Sequence, residues 1–379
     1  MTKIGTQRRI ALSFLKQKKL VDAEYWGREA LFLSIYRTGV NSSTTSACLN
    51  TLARIISEQG RQAEAVLLAN AALASAEKST NFAGSVAIAE ARRTLASVLV
   101  ADRKYAQADK VYEQMAAGLK ADPEIAARFD KNNIDWVLAM LKTNKAAQAT
   151  QMTDVILKQA VGRIDKNSAN LAMIRAFHAS ALQADGKSSP ATTEFKESIP
   201  ILIEQAQNDA ENSTGSAMQT QRLNFVLSNY LALLAQTAKA NPSQSGDAAA
   251  EAFQIADVAR GSGVQRALTE SAARASIKDP QLATLARQEQ DLQRRINTLS
   301  DLLTGLLSTP ANQQLPGVQA KLKTDIDTFK SQRNTIKKEI EKKFPEYAEL
   351  VDPKPATVER TQKLLKPDEV LVSLSLIHI

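Results

Sequence analysis

The feature that most constrains the fold is a recurrence of small residues at a period of about 42 residues. Five alanines recur along the chain at successive spacings of 42, 43, 41 and 42 residues. Thirteen residues before each alanine stands a larger side chain, which we call its partner. These alanines are Ala23, Ala65, Ala108, Ala149 and Ala191, and the larger partners are Ile10, Leu52, Leu95, Trp136 and His178. A turn residue lies eight positions after each partner, so several registers agree on one period.

This pattern predicts stacked helical hairpins. Two antiparallel helices approach closely only where small residues lie between them, and larger residues one turn away fill the groove against the next hairpin. A single hairpin cannot bury its apolar face, so neighbours must stack into a solenoid. Helix starts are predicted at "NSST" (41–44), Asp122-Pro123, "KNSAN" (166–170) and "NST" (212–214).

Composition agrees with this architecture. The chain is 44% hydrophobic but only 5% aromatic, which excludes a disordered chain and favours close helix–helix contact. Its single cysteine excludes an internal disulfide. No apolar run approaches the roughly 18 residues that span a bilayer, and the first twenty residues lack the apolar core of a signal peptide. We expect a soluble bacterial protein, in the cytoplasm rather than the periplasm, although nothing in the sequence identifies the compartment.

Residues 49–73, "LNTLARIISEQGRQAEAVLLANAAL", resemble a tetratricopeptide repeat (TPR) of the long variety found in kinesin light chains. Small residues recur there at Ala53, Ala65 and Ala72, which favours this family over HEAT-type repeats of similar length. The resemblance covers residues 1–205 and implies a right-handed superhelix with a concave ligand-binding face. A sixth, degenerate hairpin is predicted to follow.

A different pattern begins after Pro280, where apolar residues alternate at spacings of three and four. The first seam is Leu282, Leu285, Glu289, Leu292, Ile296, Leu299, Leu303 and Leu306, and the second is Leu322, Ile326, Phe329, Arg333, Ile336 and Ile340. The segment 308–317 turns the chain between them. Two heptad seams joined by a turn predict an antiparallel coiled-coil arm on the order of 40 Å long.

The C-terminal segments resemble the approach to a CHAT domain, a caspase-like domain that follows such repeats in many bacterial proteins. The resemblance rests on "AFQIADVARGSGVQRAL" (252–268), "YAELVDPKP" (347–355) and "LLKPDEVLVSL" (364–374). It implies that the last segment enters the first strand of a sheet that continues downstream. The chain is therefore expected to be a fragment, and its final residues "SLIHI" (375–379) are expected to be non-native.

The predicted fold is thus all-α with a short C-terminal β stub. Residues 1–275 are predicted to form a TPR-like α-solenoid, a right-handed superhelix of about six helix–turn–helix hairpins. Residues 276–345 are predicted to form the antiparallel coiled-coil hairpin. Residues 346–379 are predicted to contain a linker, a short helix and the first strand of the truncated CHAT domain.

Catalysis is not expected in this chain. The resemblance implies that active CHAT members use a His and a Cys downstream of the first strand, but here the histidines are His178 and His378 and the cysteine is Cys48. Cys48 and His178 belong to the second and fifth repeats, which is too far apart for a nucleophile and its base. We predict that His178 packs on a helix face with one ring nitrogen satisfied, and that Cys48 is a small buried residue. Neither a metal nor a cofactor is expected.

The predicted functional surface is the concave face, which the first helix of each hairpin would line. Its candidate binding residues are Asn50, Arg54, Glu90, Arg93 and Lys131. Such side chains could hydrogen-bond an extended or a helical peptide. An ordinary solvated helix face is the alternative for each of them.

Three functions follow as hypotheses. The first is a non-catalytic scaffold that binds a protein or peptide and regulates the attached CHAT domain. The second is an assembly or signalling scaffold that carries an inactive CHAT domain. The third, suggested by the net charge of +8 and the pI near 9.4, is a solenoid that binds nucleic acid. Acidic residues interrupt the basic segment 336–344 and aromatics are scarce, so nucleic acid is the least favoured partner.

Overall fold

The computed structural model describes residues 3–80, 82, 84–129, 133–211, 217–240, 245–260, 277–307, 316–351, 357–366 and 368–371. Within these ranges the chain forms seventeen α-helices and no β-strand, apart from one isolated bridge between Val161 and Ile164. None of the helices described there is both long enough and apolar enough to cross a membrane. The chain divides into two compact units, Met1–Leu233 and Leu234–Ile379.

The helices up to the unit boundary and just beyond it are numbered in chain order. They are α1 (Lys3–Lys16), α2 (Leu20–Thr38), α3 (Ser43–Glu58), α4 (Gln62–Ser79), α5 (Val86–Ala101), α6 (Tyr105–Leu119), α7 (Pro123–Arg128), α8 (Ile134–Lys142), α9 (Ala146–Ala160), α10 (Ala169–Ala184), α11 (Ser188–Glu211), α12 (Ala217–Ala240) and α13 (Ser245–Arg260).

Five helical hairpins stack in the described part of the first unit. They are α1–α2, α3–α4, α5–α6, α8–α9 and α10–α11, and the short helix α7 is inserted before the fourth. Both helices of a hairpin also pack against the first helix of the next hairpin. This contact pattern between neighbours is that of a solenoid. The predicted all-α, TPR-like α-solenoid is therefore confirmed.

The alanines that set the period lie where the helices of each hairpin cross. Ala23, Ala65, Ala108, Ala149 and Ala191 are completely buried. The positions that follow the larger partners are equally buried, and they are Ala11, Ala53, Ala96, Val137 and Ala179. Side chains of this size let the backbones approach closely, which is how an aromatic-poor chain obtains a dense core.

The predicted turn position has one backbone geometry in all five hairpins. Its φ angle is positive every time, with values of 61° at Lys18, 82° at Gly60, 59° at Arg103, 61° at Asn144 and 78° at Gly186. The amide of the next residue donates to the carbonyl five positions earlier, for example from Arg61 to Ile56 at 3.2 Å. This bond is that of a Schellman motif, which ends the first helix and reverses the chain into the second.

Side-chain caps start several helices where the sequence predicts them. Ser42 accepts a hydrogen bond from the amide of Thr45, and Ser168 accepts one from Leu171. Asp122 accepts from the amides at the start of α7. The predicted start at 212–214 lies outside the described residues.

Enlarging one of the period-setting alanines tests the packing directly. Ala65→Leu is expected to lower the free energy of unfolding by about 1–3 kcal/mol, because the added atoms overfill the contact between α3 and α4. Urea denaturation followed by circular dichroism measures the loss. Ala63 lies two residues earlier on the same helix and is exposed, so Ala63→Leu is the matched control. Equal stability of the two variants would contradict close packing at Ala65.

The second unit contains a pair of long helices, α14 (Pro280–Leu307) and α15 (Pro316–Lys343), followed by α16 (Pro345–Val351) and α17 (Val358–Leu364). Leu282 and Leu285 form a buried cluster with Ile340. Further along the pair, Nε of Arg333 donates to Oε1 of Glu289 at 2.6 Å. The start of α14 thus faces the end of α15.

The predicted antiparallel hairpin is present, and both polar residues of its seams pair with each other. Supercoiling of the two helices stays a prediction, as do the predicted domain boundaries. Helix α17 occupies the position of the predicted short helix, with Thr357 as its cap. The predicted strand begins at Val370 and Leu371, but these two residues are not in a strand. Residues 372–379, to which the rest of the β stub was assigned by prediction, lie outside the described residues.

Candidate functional site

The first helices place four of the five predicted binding residues on one face of the solenoid. Asn50 and Arg54 lie on the stripe of α3 that is not buried, and Glu90 and Arg93 lie on the corresponding stripe of α5. Lys131 lies outside the described residues. Whether any of these residues binds a ligand stays a prediction.

The structure adds one residue to this group. Glu58 lies on the same stripe of α3, one turn after Arg54, and its charge acts on the Arg54 guanidinium together with that of Glu90. A search for polar residues at four-residue spacing on α3 would have found it in the sequence. We call Asn50, Arg54, Glu58, Glu90 and Arg93 the polar floor.

Arg54 is exposed by surface area, yet protein surrounds its charged group closely enough to desolvate it. Desolvation lowers the pKa of Arg54, and repulsion from Arg93 lowers it further, while Glu90 and Glu58 act in the opposite direction. Arg54 remains a cation at neutral pH.

Arg93 has partners within the protein. Its Nη2 lies 2.6 Å from Oε2 of Glu90, and its guanidinium stacks over the ring of Phe129 at 5.0 Å from the centroid. These contacts hold Arg93 in place and leave Glu90 with a cationic neighbour.

The α3 stripe contains polar atoms that have no partner among the described residues. The buried Oδ1 of Asn50 and Oε2 of Glu58 accept no hydrogen bond there. Arg54 and Glu58 are four residues apart, but they do not form an ion pair in this structure. Buried polar atoms are rarely left unpaired in folded proteins, so these atoms mark a position where a further group could bind.

Helix α12 crosses the same face beyond the polar floor. Nε2 of Gln221 donates to the carbonyl of Val100 at the end of α5, at 3.0 Å. Nε and Nη2 of Arg222 donate to Oδ1 of Asp135 on α8, at 2.9 and 2.7 Å. Asp135 is buried, and Arg222 is only 24% exposed.

The Arg222–Asp135 pair also connects α12 to the polar floor. Burial is the largest influence on the pKa of Arg222 and would lower it, but the charge and the hydrogen bonds of Asp135 act together with Glu58 and Tyr112 to raise the pKa overall. Glu58 therefore acts on cations on both sides, Arg54 on α3 and Arg222 on α12. The beginning of α12 lies next to the polar floor.

The middle of α12 packs by aromatic stacking. Phe225 stacks on Phe177 of α10 at 5.5 Å between centroids, and Tyr230 stacks on Phe195 of α11 at 4.9 Å. By contacting α10 and α11, α12 takes the place that the first helix of a sixth hairpin would have. Gln221 and Arg222 also contact α5 and α8, which belong to the third and fourth hairpins. Packing between neighbouring repeats does not predict these contacts.

The sequence contains a signal for the position of α12, at equivalent positions of successive repeats. The positions two before and two after each large partner are polar in the second and third hairpins, namely Asn50, Arg54, Arg93 and Ser97. In the fourth and fifth hairpins they are Ile134, Leu138, Ala176 and Ser180. Leu138, Ala176 and Ser180 are buried. The change from polar to apolar and small residues coincides with the part of the face that α12 contacts.

The two residues considered for chemistry, His178 and Cys48, are both buried. Nε2 of His178 lies 2.9 Å from Oδ1 of Asp154, and the buried Nδ1 has no hydrogen-bond partner within the described ranges. The prediction of a packed histidine with one satisfied nitrogen is confirmed. Cys48 is buried as predicted, and burial raises the pKa of its thiol. The two residues lie on the first helices of the second and fifth hairpins.

No protein-family model matches the chain, and no curated protein matches it in sequence. Similar solved structures include a candidate kinesin light chain of Podosopora anserina with nearly identical TPR-like repeats, at 16% identity and a TM-score of 0.40. That likeness covers 54% of this chain and 96% of the other. Its Q17M variant is matched at 16% identity and a TM-score of 0.41, over 55% and 99% of the two chains.

Another similar structure is BtubC (BKLC) from P. vanneervenii, at 19% identity and a TM-score of 0.37. The likeness covers 52% of this chain and 77% of the other. The fold of the present chain rests on its own helix packing and its own repeat period, which define an all-α solenoid of TPR-like hairpins.

Proposed function

We propose that this chain is a protein-binding scaffold whose ligand lies on the face formed by the first helices. The observation that carries the proposal is the position of α12: this face already holds a helical segment through contacts with the Val100 carbonyl of α5 and with side chains of α8 and α10. A face that buries one helix by stacking, hydrogen bonds and an ion pair has the chemistry to bind another. The polar floor next to α12 is the part of the face proposed for the partner.

The charges of the polar floor favour a protein ligand over nucleic acid. Glu58 and Glu90 stand among the arginines, and a phosphate backbone would be repelled by both carboxylates. A peptide can offer both signs of charge at chosen positions. A steep loss of RNA or DNA affinity with increasing salt would instead support the nucleic-acid hypothesis.

The finer proposal is that the chain is the non-catalytic, regulatory N-terminal part of a bacterial CHAT-domain protein. Its support is the sequence resemblance of residues 252–268 and 347–374, together with the helix α17 at the expected position. A scaffold with an inactive CHAT domain is the alternative. The gene downstream of residue 374 separates them, since an active member needs a His and a Cys after the first strands.

Blocking the first-helix face tests the binding proposal. Peptides selected from a random phage library against the full chain are expected to lose roughly tenfold or more in affinity when Ala47→Trp places a bulky ring on the α3 stripe. Ala47 is partly exposed on that stripe. Fluorescence anisotropy of the labelled peptides gives the dissociation constants.

The matched control for this experiment is Ala63→Trp on the second helix α4, where Ala63 is exposed. Circular dichroism verifies that both variants are folded. Peptides that bind Ala47→Trp as tightly as the unchanged chain, or that are lost only with Ala63→Trp, would place the binding surface elsewhere and refute the proposal.

A further inference from the structure

Three side chains on one stripe of α3 have polar atoms without a partner in the described part of the chain. Asn50, Arg54 and Glu58 are spaced by four residues, so consecutive side chains stand about 6 Å apart along the helix. The unpaired atoms are Oδ1 of Asn50 and Oε2 of Glu58, and the Arg54 guanidinium makes no hydrogen bond to a described residue.

The neighbouring charges do not satisfy these groups. Glu90 is already paired with Arg93, and Arg222 is already paired with Asp135. Leaving a desolvated donor or acceptor unpaired costs free energy that a ligand group can recover. The gain is larger for charged partners, because charge-assisted hydrogen bonds are stronger than neutral ones.

Each member of the stripe requires a defined partner group. Arg54 is a cation and a donor, so it favours an anionic acceptor, which in a peptide ligand is a carboxylate. Glu58 and the Oδ1 atom of Asn50 are acceptors, so they require donors. A complementary ligand therefore presents an acid with a donor on either side, at separations of about 6 Å.

A helix is the ligand form that the adjoining surface already accepts. On the same face, α12 places Arg222 against Asp135 as a helical side chain, and Phe225 stacks on Phe177. Residues four apart on a helix are separated by one turn, which matches the spacing of the α3 stripe. The stripe continues this interface towards the second hairpin.

We propose that Asn50, Arg54 and Glu58 bind a partner helix that carries an acidic residue opposite Arg54 and a basic or amide residue one turn away on each side. The inference rests on the proposed function, since it assigns a ligand chemistry to the same face. The partner's sequence signature is donor, acid, donor at positions i, i+4 and i+8.

Two alanine-rich helical peptides of identical composition test this signature. One has Lys, Glu and Lys at spacings of four, and the other has the same three residues in adjacent positions. Binding to the full chain is measured by fluorescence anisotropy at low salt. The spaced peptide is expected to bind about tenfold tighter, in line with one charge-assisted contact. Equal affinity of the two peptides would overturn the proposal.

A charge reversal identifies the residue responsible. Arg54→Glu is expected to abolish the preference for the spaced peptide and to favour a third peptide with Lys in place of the central Glu. Arg37 is exposed on α2, so Arg37→Glu is the control for net charge. An equal loss in both variants would overturn the proposal. If the spaced peptide fails while Ala47→Trp still blocks the library peptides, the surface is right and the assigned chemistry is wrong.

Discussion

Replacing Asp135 with alanine is expected to lower the free energy of unfolding by about 3–5 kcal/mol. The substitution leaves the Arg222 guanidinium buried beneath α12 without its carboxylate, which is only 5% exposed in the intact pair. It also removes an acidic residue from the first turn of α8, where it interacts favourably with the helix dipole. Thermal or urea denaturation followed by circular dichroism measures the loss.

Two further variants separate the buried charge from a general effect of removing an acid. Asp291→Ala removes the carboxylate of the Arg294–Asp291 pair, whose side chains are 73% and 55% exposed, and it is expected to cost less than about 1 kcal/mol. The double variant Asp135→Leu with Arg222→Met is expected to recover most of the loss, because no charge stays buried. If Asp135→Ala and the unchanged chain have the same free energy of unfolding, α12 does not pack against α8 through this ion pair.

Replacing Tyr112 with alanine is the second change expected to cost about 3–5 kcal/mol, because it leaves a large cavity in the core. Tyr112 is completely buried and stacks on Trp136 at 5.2 Å between ring centroids. Its hydroxyl lies 2.9 Å from Oγ of Ser97 and accepts a hydrogen bond from Nδ2 of Asn133 at 3.2 Å. This residue therefore joins α5, α6 and the start of α8. The measurement is the shift in the urea midpoint.

Tyr112→Phe separates the ring from the hydroxyl. It keeps the stacking and is expected to cost about 1–3 kcal/mol, because Ser97 and Asn133 lose a buried partner. Tyr36 on α2 is 77% exposed, so Tyr36→Ala is the control and is expected to stay within about 0.5 kcal/mol of the unchanged chain. Similar losses at Tyr36 and Tyr112 would contradict the central position of Tyr112.

The features predicted correctly from the sequence are local ones. The crossing at Ala65, the turn at Gly60 and the cap at Ser42 each depend on residues within one hairpin or its neighbour. The antiparallel hairpin of α14 and α15 was predictable for the same reason, since its seams repeat every few residues. The placement of Asn50 and Arg54 on one stripe follows from helical spacing alone.

The contacts of α12 were not predictable in the same way. Gln221 and Val100 are 121 residues apart, and Arg222 and Asp135 are 87 apart. Neither contact follows from the 42-residue period. The apolar positions Ile134 and Leu138 were the available signal, because they stand where earlier hairpins have polar residues. These apolar residues indicate that this part of the first-helix face is covered, but they do not identify the covering segment as α12.

The sequence by itself determined the unit of this protein, its period, its turns and the residues at which its helices cross. Those properties are repeated in each hairpin, and close packing permits only small side chains at each crossing. Only the tertiary structure decided which part of the first-helix face is covered by α12, and that Oδ1 of Asn50 and Oε2 of Glu58 have no partner among the described residues beside Arg54. The positions that face away from the helix crossings carry no periodic constraint, so their partners are set by how the whole stack brings distant segments together.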